Sequence, residues 1–119
     1  MKRFLILAVV CCISSLSFSQ TKITIDDVSK HVGDSVTVCT KVYGVKFFEK
    51  SQMTMLNLGA AYPNSPLTIV VFGKDLPNFK VAPDKMYADK EICVTGVIKE
   101  FKGKNEIVVS DPGAIRLNY

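Results

Sequence analysis

Apolar and polar residues alternate in two segments of this chain, Val36-Thr37-Val38-Cys39-Thr40-Lys41-Val42 and Glu91-Ile92-Cys93-Val94-Thr95-Gly96-Val97-Ile98. A period of two puts one set of side chains on each face of a half-buried strand. Read this way, the first strand covers residues 35–47, with Gly44 marking a bulge or bend. Further strands follow at 52–58, 67–72, 91–101 and 105–110. In the second of these, Met53, Met55 and Asn57 share a face opposite Thr54, Leu56 and Leu58. The period before residue 33 is helical: Ile25, Val28 and Val32 recur at that spacing, Thr24 is placed to cap, and Asp26 and Asp27 sit where the dipole favours negative charge. A short N-terminal helix over 23–32 is therefore expected, stopped by Gly33. Residues 59–66 form a turn-rich connection, and the long link 73–89 is expected to be helical around 83–87.

The first nineteen residues follow a different logic. Lys2 and Arg3 precede an apolar run over 4–13, and Ser17 and Ser19 are small residues placed for cleavage before Gln20. This is the pattern of a secretory signal at 1–19, leaving one domain at 20–119. The apolar run would cross only about half a bilayer, so no membrane insertion is expected once the signal is removed. Cys11 and Cys12 raise lipoprotein anchoring as the alternative, but Val10 and Cys11 precede them where a lipobox wants a small residue. Export to the periplasm or the extracellular space is the expectation. Cys39 and Cys93 would then lie in an oxidising compartment, and an even count of two reads as one disulfide. A redox-active pair would favour Cys-x-x-Cys spacing at a helix start, which this pair lacks.

Charge narrows the picture further. The formal charge of +4 falls to +2 once Lys2 and Arg3 leave with the signal, and Arg116 is then the only arginine. Bidentate phosphate recognition by arginine forks is thereby limited.

The segments His31-Val32-Gly33-Asp34-Ser35-Val36-Thr37-Val38-Cys39, Leu56-Asn57-Leu58-Gly59 with Tyr62-Pro63-Asn64, Val70-Val71-Phe72, Val94-Thr95-Gly96-Val97-Ile98 and Gly103-Lys104-Asn105-Glu106-Ile107-Val108-Val109 with Asp111-Pro112 carry a resemblance. Together they resemble the small OB-fold domains of the tRNA-anticodon-binding-like kind, found as exported single domains or attached to nucleases. The resemblance implies a mainly β fold, a five-stranded OB-fold Greek-key barrel with a short N-terminal helix. It also implies that the first and fourth strands lie side by side and antiparallel, where Cys39 and Cys93 can face each other across the ladder.

The chain carries little that points to catalysis. His31 is the single histidine and sits at a helix end, and Asp26 and Asp27 are explained by the helix start. No nucleophile elbow, metal-ligand cluster or phosphate-cradling loop is present in the sequence. The expectation is a non-enzymatic module without cofactor or metal. OB barrels present ligands on their second and third strands, rimmed by the loops that join strands one to two and four to five. Here those rims and that face offer Tyr43, Lys46, Phe47, Phe48, Lys50, Asn57, Tyr62, Lys102 and Lys104 as ligand-binding candidates. Interleaved cations and rings suit single-stranded nucleic acid, cations meeting the backbone and rings stacking on bases. The alternatives are that Phe47 or Phe48 closes the barrel end, and that the partner is a protein or small ligand.

Overall fold

A computed structural model describes residues 21–118. The expected signal segment, with Cys11 and Cys12, lies outside the described residues. The described residues form eight strands: β1 (Thr21–Ile23), β2 (Ser35–Phe48), β3 (Met53–Leu58), β4 (Leu67–Val71), β5 (Glu91–Val97), β6 (Lys99–Phe101), β7 (Lys104–Val108) and β8 (Ile115–Leu117). The fold is mainly β, with 3-10 turns at Ile25–His31, Gly73–Asn78 and Pro112–Ala114 and one helical turn, α1 (Pro83–Met86).

The strands form one sheet in the order β6-β7-β4-β3-β2-β5-β8, with β1 added in parallel to β2. The strands β2, β3 and β4 make an antiparallel meander, and β7 runs parallel to β4. The first half of β2 pairs with β5 while its second half pairs with β3. The register shifts between Val42 and Gly44, so Tyr43 is the bulged residue. The strands β5 and β6 are far apart in the ladder, yet Ile98 alone separates them in the chain. Ile98 is buried, and its backbone is fixed from both sides by Gly33 N–H at 2.7 Å and Asp34 O at 3.1 Å.

The alternation accounts for the core. Val36, Val38 and Val42 of β2, Leu56 and Leu58 of β3, Leu67, Ile69 and Val71 of β4, Ile92 and Val94 of β5, and Ile107 of β7 are all fully buried. Cys39 and Cys93 occupy the opposite face of β2 and β5. They are directly paired, disulfide-bonded, and have Cα atoms 4.0 Å apart, the close spacing of a non-hydrogen-bonded pair. The bond closes a loop of 54 residues, a constraint on the unfolded chain of about 4 kcal/mol. One pair along the same face, the hydroxyls of Thr37 and Thr95 share a hydrogen bond of 2.8 Å.

Two elements differ from the sequence reading, and the tail adds a strand. The N-terminal helix is a seven-residue 3-10 segment, Ile25–His31, preceded by strand β1. The Thr24 side chain does not cap it. The hydroxyl instead donates to Asp27 Oδ2 at 3.3 Å, and the Asp27 amide bonds to Thr24 O in the tighter i to i+3 manner. So short a helix stands only by docking, here through buried Val28. The strand expected over 91–101 breaks at Ile98 because its two halves serve different neighbours, β2 and β7. The tail forms β8 on β5, after a turn in which Asp111 Oδ1 accepts from the Gly113 amide at 2.8 Å.

Candidate functional site

The outer face of the sheet, away from the core, carries an open cleft of about 770 Å³. The sheet register builds its floor. Gly44 pairs with Asn57, Asn57 with Thr68, and Thr68 with Glu106, which gives one row of side chains across β2, β3, β4 and β7. The next row runs through Lys46, Met55, Val70 and Val108. The walls are the end of β2 with Phe48 on one side and the β6–β7 hairpin on the other, and the loop carrying Tyr62 closes one end.

The polar floor is ordered. Asn57 Oδ1 accepts hydrogen bonds from Thr68 Oγ1 at 3.1 Å and Ser65 Oγ at 3.3 Å. These two bonds turn the amide nitrogen toward Gly44, where a Cβ would sit 3.8 Å from Nδ2. Glu106 is half-buried and among the described residues has neither an ion pair nor a hydrogen bond from its side chain. Removal from water pushes its carboxyl pKa up.

The rim is cationic and aromatic. Lys104 Nζ donates to Pro63 O at 3.0 Å and lies 5.9 Å from the centre of the Tyr62 ring. Lys46 lies over Phe48 at 5.3 Å and Lys102 over Phe101 at 5.4 Å. Each pairing sets a lysine ammonium over an aromatic ring within the range of a cation–π contact. Tyr62 itself is 74% exposed, and the Tyr62–Pro63 peptide is cis.

Of the nine ligand-binding candidates, Lys46, Phe48, Asn57, Tyr62, Lys102 and Lys104 line this cleft together. Tyr43, Phe47 and Lys50 do not. Tyr43 is the bulged residue of β2, with Lys41 over its ring at 5.3 Å. Phe47 faces the other side of β2 from Lys46 and Phe48 and stands opposite Thr54. Lys50 lies in the exposed turn between β2 and β3. Six lining residues lie outside the sequence candidates: Gly44, Val45, Met55, Ser65, Thr68 and Glu106. Alternation alone places Met55 beside Asn57, and a charge interrupting the last apolar strand was the available signal for Glu106. Thr68 sits in a nearly continuous apolar run, where no period distinguishes the faces.

Elsewhere, His31 Nδ1 lies 3.1 Å from Asp34 Oδ2, and Asp27 pairs with Lys30 at 3.5 Å. A smaller cleft of about 320 Å³ is bounded by Phe79, Met86, Tyr87 and Ile115, where burial pushes the Tyr87 hydroxyl pKa up. No helix among the described residues is long and apolar enough to cross a membrane.

No protein-family model and no curated protein matches the chain. Among solved structures, 31 chains match. One is described as an aspartyl-tRNA synthetase from Leishmania major Friedlin, 15% identical with a TM-score of 0.53. The match covers 92% of this chain and 23% of that one, so the chain spans less than a quarter of the protein it resembles. At that identity the likeness is one of backbone course: nearly all of this chain shares its fold with one part of a much longer protein.

Proposed function

We propose that this chain is an exported, non-catalytic module whose OB-type barrel binds single-stranded nucleic acid in the outer cleft. The barrel reading takes β5 and β6 as one strand bent at Ile98. That strand, with β2, β3, β4 and β7, then makes a ring of five, because its first half pairs with β2 and its second half with β7. Gly96 supports this closure. A Cβ there would fall 2.5 Å from Ile107 Cγ2, so β5 and β7, which share no ladder, cross in close contact. The signal-like segment at 1–19 and the Cys39–Cys93 disulfide both favour an oxidising, exported setting.

The observation that carries the ligand choice is the cleft itself: three lysines and two rings around a groove on the β3–β4 face. Lysines neutralise a phosphate backbone, and exposed rings stack on bases at about 1–3 kcal/mol each. One solved structure of similar fold is described as an aspartyl-tRNA synthetase, which favours the same ligand class.

Fluorescence anisotropy of a labelled single-stranded oligonucleotide across a salt series tests the reading. Log affinity should fall linearly with log salt, and replacing Lys46, Lys102 and Lys104 together by alanine should reduce the slope by about 2, at about 0.7 per phosphate contact. Absence of binding at low salt would remove nucleic acid as the ligand and leave the cleft to a protein or small-molecule partner.

A further inference from the structure

We propose that the floor of this cleft selects guanine, with Glu106 accepting the two adjacent donors of the base's Watson–Crick edge. The inference rests on the nucleic-acid reading above and adds a base preference to it.

Glu106 is the feature that a purely backbone-binding groove does not explain. It lines a cleft whose other charged residues are Lys46, Lys102 and Lys104, and a carboxylate there repels phosphate. The lysines are engaged elsewhere, with Pro63 O and with rings, and none forms an ion pair with Glu106. A carboxylate partly withdrawn from water without donors is destabilising, and its raised pKa records that cost. The ligand group that relieves it is an N–H donor. A carboxylate offers two acceptor oxygens. Guanine places N1–H and N2–H side by side to meet both. Adenine and cytosine set a ring acceptor beside their amino group, and uracil or thymine sets its single N–H between two oxo groups.

Asn57 does not share this edge with Glu106. Its oxygen is held by Thr68 and Ser65, so its amide nitrogen is the free end, above the bare backbone of Gly44. Asn57 and Glu106 stand in one row with Thr68 between them. Two strand spacings separate them by about 10 Å. Across that span, with the Asn57 amide nitrogen turned to the far side toward Gly44, the carboxylate of Glu106 meets the base edge alone. The exposed Tyr62 ring stands at the cleft end, where it can cover a base face.

The experiment titrates the full chain with short labelled poly-thymidine strands that carry one central guanine, adenine or cytosine, or none, at fixed low salt. The guanine strand is expected to bind about ten-fold tighter than the others. In Glu106→Gln, shown to be folded by a cooperative melt, the ratio between guanine and thymine strands is expected to fall close to one. Equal binding of all four strands by the wild-type chain overturns the guanine inference and leaves the nucleic-acid reading standing. A guanine preference that persists in Glu106→Gln overturns the role given to that carboxylate. Failure of every strand to bind overturns both.

Discussion

Gly96 shows how a single missing methyl shapes this protein. Any side chain there would meet Ile107, which is itself fully buried and has nowhere to move. Gly96→Ala is therefore expected to destabilise by about 1–3 kcal/mol, the range for overpacking a dense core, read as a lower urea midpoint. Glu106 makes a second residue-level case, with a pH signature. Its folded pKa is raised by burial, so the protonated form is the one folding favours. The associated stability is present below the ordinary glutamate range and is lost as pH rises through the folded pKa. Glu106→Gln should therefore melt above the wild type at neutral pH, and the gap should close as pH drops below about 4. A gap that stays constant from acid to neutral would contradict this account. Neither effect was legible from the residues alone. A glycine in a strand signals close approach but not by what, and the face that Glu106 occupies is known only once the register with Thr68 is fixed.

At the scale of elements, β2 organises the sheet. Its first half holds β5 through a ladder and a disulfide, and its second half holds β3 beyond the bulge. Replacing Cys39 and Cys93 by serine should lower stability by up to about 4 kcal/mol, measured by chemical denaturation with and without reductant. The reductant should shift the wild type and leave the double variant unmoved. The main strands were readable because alternation is a strong signal over five or more residues, as in 35–42 and 53–58. The three-residue strands β1 and β8 were not, because so few positions cannot display a period, and β6 was read only as the end of the strand over 91–101. The break at Ile98 was hidden for another reason: alternation continues through it, and only the change of partner from β2 to β7 interrupts the ladder.

At the scale of the whole molecule, the cleft gathers residues from segments far apart in the chain. Lys46 and Phe48 come from β2, Asn57 from β3, Tyr62 from a loop, and Lys102 and Lys104 from the β6–β7 hairpin. Their convergence depends on fold, so the sequence offered them only as residue types placed on the rims that a barrel of this kind would have. The salt dependence of oligonucleotide binding belongs to this scale because it measures how many of the gathered cations meet phosphate together. The bond from Lys104 to Pro63 carries a consequence here. It links the hairpin wall to the loop that closes one end of the cleft before any partner arrives. An occupant of such a preorganised groove need not order it, and more of its contact energy survives as affinity.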